Sequence, residues 1–286
     1  MSRIAMIGAG TMGRRLAVDF ARCGHEAVLQ DTDAAAIARA QAWCREVVQQ
    51  WVDAGRVSRE EGDRIASRIS TGGSLAESLQ RADFAFENVP ERLDLKRAAF
   101  AAAAPYVPPS AILVSNTSAL PGSLFADATG CPDRLINANF GHLGHAKVEV
   151  MPHPGTSVET RERLTALLTA CGFEPLVLAR EQLGYSSNRI WRAVKKEVLR
   201  QLAAGITSAE KIDRAWQLDW GVPIGPCALM DRIGLDVVAD IEQVYADHLG
   251  DPSEAAPAFL HEMVRAGKLG VKSGEGFFKD QDRPAG

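Results

Sequence analysis

No apolar run in the 286-residue chain approaches the roughly 20 residues that span a bilayer, so a membrane-spanning role is not expected. Positive charge is not in excess either: 32 lysines and arginines face 36 acidic side chains, a net charge of −4. Without a global positive field, neither nucleic acid nor an anionic membrane is an expected partner. The basic stretch Arg189 to Arg200 is broken by apolar residues and reads as a solvated helix face. Cysteine is scarce: Cys23, Cys44, Cys131, Cys171 and Cys227 are odd in number, scattered and without paired metal-ligand spacing. That argues against a disulfide framework and for a reducing, cytoplasmic compartment. Cys23 and Cys171 fall in helix-like patterns, where a buried inert thiol is the expectation. Internal repeats and low-complexity segments are absent. The apolar opening is strand-length and runs into a glycine turn, unlike a signal peptide.

Glycine, by contrast, is plentiful at 25 residues, and its placement carries the first functional signal. Ile4 to Ile7 suits a strand buried on both faces. Gly8 and Gly10 then allow a tight turn and close backbone approach, Thr11 and Met12 open a helix, and Gly13 lets that helix pack on the sheet. The helix N-terminus offers unpaired N–H groups and a positive dipole end to a pyrophosphate. Asp31 closes a second apolar run about 20 residues downstream, where a carboxylate accepts hydrogen bonds from an adenosine ribose. A 2′-phosphate there would meet like charge, and Thr32 and Asp33 follow without a neighbouring arginine. NAD rather than NADP is therefore the expected cofactor.

Short apolar runs alternate with helical periods up to Gly184, which predicts a doubly wound parallel sheet. Strands are expected at Ile4–Ile7, Ala27–Gln30, Phe84–Glu87, Ile112–Ser115, Leu135–Phe140, Lys147–Met151 and Glu174–Leu178. Residues 34–69 are too long for one crossover. A helix to Val52, a break at Ala54-Gly55 and a capping box at Ser58 predict a helical hairpin projecting from this domain. Beyond Gly184 the strand-like runs stop and every periodic segment is helical. The fold class is thus α/β: a Rossmann-type domain, residues 1–182, with a helical hairpin insertion, then a smaller all-helical domain, residues 183–286. Trp191, Trp216 and Trp220 are candidates for a subunit interface or for that domain's core.

A dinucleotide fold moves a hydride, and the base and substrate ligands must come from elsewhere. Ser115-Asn116-Thr117-Ser118 follows a strand at the sheet's carboxyl edge, where open α/β sheets bind ligands, although a helix cap reads equally well there. Asn139-Phe-Gly-His142-Leu-Gly-His145 leaves the next strand and Glu149 lies in the one after, so a histidine base held by a carboxylate is possible. Asn188 opens the helical domain. Arg189, Arg192, Lys195 and Lys196 are candidates to pair with a substrate carboxylate, against the plainer reading of a charged helix surface. His142 and His145 are spaced like metal ligands, but no third ligand accompanies them in the segment, and no metal is expected.

Taken together, Gly8-Ala-Gly-Thr-Met-Gly13, Glu87-Asn-Val-Pro-Glu91, Ser115-Asn-Thr-Ser118, Val148-Glu-Val150, Asn188-Arg189, Gly225-Pro226, Asp231, Gly234-Leu-Asp236 and Gly270 to Phe277 span nearly the whole chain. This set resembles the L-3-hydroxyacyl-CoA dehydrogenase superfamily, in particular its short branch containing L-gulonate 3-dehydrogenase (lambda-crystallin) and carnitine dehydrogenase. The resemblance implies that Glu91 and Lys96 line the cofactor cleft, with Asn116 near the nicotinamide. It further implies that Ser118 bonds the reacting substrate oxygen, Glu149 orients a histidine, Asn188 completes the site and the protein is a homodimer.

One departure from the family pattern is chemical. Where the family has His-x-x-Asn-Pro, with the histidine as general base, this chain has Asn139-Phe-Gly-His142-Leu. Three readings stand. His142 serves as the base while Asn139 bonds the substrate; or His142 or His145 serves an unusual substrate, in imine or amine chemistry or in oxidation of an aldehyde hydrate; or the protein binds dinucleotide without turnover. The first makes the chain an NAD-dependent dehydrogenase of a small polar 3-hydroxy metabolite.

Overall fold

A computed structural model describes residues 1–141 and 146–280, and its contacts divide the chain into two units, Met1–Ser186 and Ser187–Gly286. The first unit runs β1 (Arg3–Ile7), α1 (Thr11–Arg22), β2 (Glu26–Gln30), α2 (Ala34–Asp53), α3 (Arg59–Ser67), β3 (Ile69–Thr71), α4 (Leu75–Leu79), β4 (Phe84–Glu87), α5 (Leu93–Ala103), β5 (Ile112–Ser115), β6 (Leu135–Phe140), β7 (Lys147–Met151), α6 (Val158–Ala170) and β8 (Glu174–Val177). Its strands form one eight-stranded sheet in the order β3-β2-β1-β4-β5-β6-β7-β8, parallel except where β6 meets β7. Strands covered on both faces need no polar alternation, and β4 and β5 are buried along their whole length. Phe20 of α1 packs on Phe86 of β4 at 5.1 Å between ring centres, and Phe140 of β6 meets Phe173 at 5.4 Å.

The helices start where small polar side chains hold the first-turn N–H groups. Asp33 Oδ1 accepts from Ala35 N (2.8 Å), Ser58 Oγ from Glu61 N (3.1 Å) and Ser157 Oγ from Thr160 N (3.1 Å). α2 and α3 succeed each other across residues 54–58, at the place expected for the helical hairpin, and each buries one face. Ala40, Cys44, Val47 and Val48 form an apolar stripe on α2 that, with Ile65 of α3, is buried in the same core as Ile4, Leu16 and Phe86. A Cβ on Gly62 would lie 2.6 Å from Val52 Cγ2, so the glycine lets α3 approach α2 closely. β3 was not foreseen because three residues, half-buried Ile69 and exposed Ser70 and Thr71, have no legible alternation; pairing with β2 creates the strand. Cys23 is also not the inert buried thiol expected, being half-buried at the carboxyl end of α1.

The second unit consists of α7 (Ser187–Ala203), α8 (Ala209–Trp220), α9 (Pro226–Ile233), α10 (Leu235–Leu249) and α11 (Ala258–Arg265), packed around Leu199, Cys227, Met230, Leu235, Val238 and Leu260. Asp213 of α8 caps α9 by accepting from Cys227 N and Ala228 N, both at 2.8 Å. Buried Asp231 accepts from Phe277 N (2.8 Å) and Phe278 N (2.9 Å), closing the last described segment onto α9. Trp191 packs against this core, whereas Trp216 and Trp220 stack on each other at 5.6 Å and Trp220 is 67% exposed. Among the described residues no helix is long and apolar enough to cross a membrane.

Candidate active site

The sheet register lines up the residues picked out in the sequence. Ile7 pairs with Gln30 and with Glu87, Glu87 with Ser115, and Ser115 with Asn137. Asp31, Gly8, Asn88 and Asn116 therefore follow one another just beyond the carboxyl ends of neighbouring strands. Crossovers leave β1 and β4 in opposite directions, so this edge is also the switch point at which such sheets bind dinucleotides.

At the glycine turn, the space around each residue shows what it is for. A Cβ on Gly13 would lie 1.9 Å from Gly8 O, and one on Gly8, at φ +99°, would lie 2.9 Å from Asn88 O. Both glycines are demanded by packing. A Cβ on Gly10 would meet nothing within 4 Å; Gly10 and Thr11 are exposed, and no side chain caps α1. The first-turn N–H groups are thus presented to an anion at a surface only glycine leaves clear. Asp31 Oδ2 accepts from Ala9 N (2.8 Å) and Oδ1 from Asp33 N (3.0 Å), which ties the end of β2 to the turn and fixes the carboxylate that would take a ribose. The fold does bring an arginine close, since Arg39 lies 3.2 Å from Asp33, but its charge is matched there by that carboxylate. These residues fit an adenine dinucleotide without a 2′-phosphate.

Beneath Asn116 lies a buried charge cluster that the sequence did not reveal as such. Lys96 is fully buried, with its ammonium 3.0 and 3.1 Å from the Glu87 oxygens and 3.3 Å from Glu91 Oε2. Ser115 Oγ and Val89 N also donate to Glu87, at 2.6 and 2.7 Å. Burial raises the Glu87 pKa, and Lys96 and these donors oppose the rise. Glu91 Oε1 gathers the loop after β5, accepting from Thr117 Oγ1 (2.5 Å) and from the N–H groups of Ser118 (3.1 Å), Ala119 (2.8 Å) and Leu120 (3.3 Å). Ser118 itself is exposed. Asn116 is fixed from both ends: its Nδ2 donates to Asn88 Oδ1 (3.1 Å) and its Oδ1 accepts from Phe140 N (3.3 Å).

Asn139 and Glu149 are directly opposed across the β6–β7 pair, so their side chains share one face of the sheet. The Glu149 carboxylate is 1% exposed; its Oε1 accepts from Ser186 N (3.0 Å) and its Oε2 from Lys147 Nζ (3.1 Å). His142 and His145 lie outside the described residues. The residue just before them, Gly141, gives its carbonyl to the guanidinium of Arg15, a buried side chain paired with Asp19 at 3.1 Å. Close to Glu149 the sequence reading missed Tyr185. It is fully buried, sits at φ 53°, and its hydroxyl has no hydrogen-bond partner among the described residues. Burial first, then Glu91, Glu149 and Glu87, hold that phenol well above its usual pKa.

In the second unit Asn188 lies in the first turn of α7. Three of the cations proposed for a substrate carboxylate are already matched internally. Arg192 bonds Glu242 (2.8 Å) and Glu254 (2.6 Å), Lys195 bonds Glu242 (3.2 Å) and Lys196 bonds Glu254 (2.5 Å). Hydrogen bonds from Lys196 and Arg192 pull the Glu254 pKa down to about 2. Arg192, Lys196 and Glu254, with exposed Arg189, line a cavity of about 340 Å³. Among the described residues no three histidine, cysteine or acidic side chains gather as a metal site.

Comparison with known proteins gives the same outline. Residues 3–182 match the family model described as 3-hydroxyacyl-CoA dehydrogenase, NAD binding domain, and residues 184–280 match its C-terminal domain. A 3-hydroxybutyryl-CoA dehydrogenase of Clostridioides difficile is 32% identical over 278 residues, covering 96% of this chain and 98% of that protein. The 5-formyl-3-hydroxy-2-methylpyridine 4-carboxylate 5-dehydrogenase of Mesorhizobium japonicum is 28% identical over 282 residues, covering 96% and 89%. Among solved structures, the (S)-3-hydroxybutyryl-CoA dehydrogenase of Ralstonia eutropha superposes with a TM-score of 0.90 at 29% identity, covering 98% of this chain and 99% of that one.

Proposed function

The chain belongs to the 3-hydroxyacyl-CoA dehydrogenase family and is an NAD-dependent oxidoreductase of that type, and from this premise we propose that it oxidises the CH–OH group of a small polar 3-hydroxy metabolite. The observation that carries this reading is the row of polar residues along one sheet edge: the open glycine turn, Asp31, Asn116 and exposed Ser118, with Asn139 and Glu149 opposed beside it. Gly8, Gly10, Thr11, Met12, Gly13 and Asp31 hold the cofactor's adenosine and pyrophosphate, and Asn116 lies toward its nicotinamide. Bound NAD supplies the hydride acceptor. Glu91 and Lys96 serve the same cleft from beneath, by fixing the loop that carries Ser118.

The proton is the business of the chain's own side chains. Ser118 bonds the substrate oxygen, His142 takes the hydroxyl proton, Glu149 holds the imidazole in one tautomer, and Asn139 and Asn188 bond the substrate. The motif set from Gly8–Gly13 to Gly270–Phe277 supports the family's short branch, with Asn139 as an altered motif where the family has histidine. The protein acts as a cytoplasmic homodimer. Five cysteines without a disulfide support a reducing compartment, and exposed Trp220 supports an interface.

The relative named for a 5-formyl pyridine carboxylate favours a second reading, oxidation of an aldehyde hydrate by the same residues. The two separate when NADH formation is followed with 3-hydroxy acids, 3-hydroxyacyl thioesters, carnitine-like alcohols, aldehydes and cyclic imines. Turnover only on aldehydes replaces the first reading with the second, and no turnover on any leaves a dinucleotide binder. On the active substrate, His142→Ala lowers kcat by about 10² to 10⁴; a loss under threefold rejects the base. Glu149→Gln lowers turnover while NADH affinity holds.

A further inference from the structure

Cys23 and Cys171, 148 residues apart in the chain, come together at the ends of two helices. Cys23 closes α1 and Cys171 closes α6, each as the residue following the last helical turn. The Cys23 thiol donates to the Cys171 carbonyl oxygen at 3.3 Å, which sets the two cysteines side by side. Cys23 is half-buried, hence reachable by a small solute, whereas Cys171 lies behind it in the apolar core. The charged groups facing the pair are Arg22 and Asp19, of opposite sign.

We propose that Cys23 and Cys171 form a peroxide-reactive dithiol site, in which Cys23 is the attacking sulfur and Cys171 the resolving one. Interaction with Cys171 is the largest influence on Cys23 and lowers its pKa, which favours the thiolate, the form that reacts. The same contact raises the Cys171 pKa, which keeps that sulfur protonated until Cys23 has reacted. Burial raises the pKa of Cys44, to about 11, and that of Cys131, and both stay inert. In the first step the Cys23 thiolate attacks one peroxide oxygen. The O–O bond breaks, the peroxide is reduced to an alcohol or water, and Cys23 becomes a sulfenic acid. That product is neutral, so the charge that kept Cys171 protonated is gone. The Cys171 sulfur then attacks the Cys23 sulfur, the S–O bond breaks, and hydroxide leaves with the Cys171 proton as water. Two thiols and one hydroperoxide thus give one disulfide, water and one reduced peroxide product. The link ties the carboxyl end of the glycine-turn helix α1 to α6.

Treating the full-length protein with one equivalent of hydrogen peroxide at pH 7 tests this directly. Reactive thiols should fall from five to three, and a non-reduced digest should contain one peptide joining Cys23 to Cys171. The linked protein should melt several degrees higher, since the bridge closes a long loop of the unfolded chain. Cys171→Ser should stop the reaction at a Cys23 sulfenic acid that dimedone traps, and Cys23→Ser should slow thiol loss at least tenfold. The proposal is overturned if Cys44, Cys131 and Cys227 oxidise as fast as Cys23, or if Cys171→Ser yields no trapped sulfenic acid. Neither readout depends on which substrate the enzyme oxidises.

Discussion

The two units each contain a glycine-rich stretch beside an aspartate, and the two stretches use their glycines for different ends. In the first unit, Gly10 borders open space, it caps α1 without a side chain, and Asp31 remains partly exposed. In the second, a Cβ on Gly270 would lie 2.1 Å from Asp231 O, one on Gly276 would lie 2.1 Å from Asp231 Oδ1, and Asp231 is fully buried. Both look like functional motifs in the sequence. What separates them is the content of the space a side chain would occupy: protein in one case, nothing in the other. A glycine required by packing reports on the fold, and a glycine required although nothing packs on it reports on a ligand.

The sharpest way to break this comparison is to damage the packed stretch. Asp231→Ala removes the acceptor for two N–H groups, those of half-buried Phe277 and buried Phe278, and each unmet buried donor costs about 1–3 kcal/mol. A loss of about 3 kcal/mol or more in urea unfolding is expected, and less than 1 would mean the segment is not held as described. Gly276→Ala should match it, because its clash is with Gly270 Cα at 2.7 Å as well as with the carboxylate. Gly10→Ala is the counterpart in the open stretch. The backbone at Gly10 has φ −69° and ψ −162°, which alanine adopts freely, so stability should move by less than about 0.5 kcal/mol. NADH affinity, by contrast, should fall about tenfold, or about 1.4 kcal/mol, by titration of coenzyme fluorescence. An unchanged Kd would remove the distinction between the two stretches.

The same contrast explains how far the sequence could be read. The strands at β4, β5, β6 and β7 match their expected bounds to the residue: β4 and β5 open on apolar runs, as suits a sheet covered on both faces, and in β6 and β7 apolar residues alternate with Asn137, Asn139 and Glu149. β3 escaped because its residues carry no pattern of their own, and the apolar stripe of α2 shows in the sequence that a face is buried without showing against what. At the site, Glu91 and Lys96 were found by resemblance. Their roles were not legible: pairing of Lys96 with Glu87 and the grip of Glu91 on residues 117–120 depend on contacts between separate elements. The candidate carboxylate ligands Arg192, Lys195 and Lys196 failed the same way, since their partners Glu242 and Glu254 are about 50 residues or more downstream. Charge in a sequence has no depth until the fold supplies it.

The smallest expected effect sharpens the comparison from the polar side. Asp231 meets the N–H groups of Phe277 and Phe278, whereas beside Glu149 the buried Tyr185 hydroxyl is unmet among the described residues. An unmet buried hydroxyl is a cost that phenylalanine avoids while keeping the ring and its packing, so Tyr185→Phe should stabilise the resting protein by about 1 kcal/mol, or roughly 2–4 °C in Tm. The backbone at φ 53° is untouched by this change, as are the bonds that fix it: Gln182 Nε2 to Tyr185 O at 2.9 Å and Ser186 N to Glu149 at 3.0 Å. The gain therefore isolates the hydroxyl from the strain. A destabilised Tyr185→Phe would mean that the phenol has an acceptor in solution, and the first unit would then be as fully satisfied at its site as the second is around Asp231.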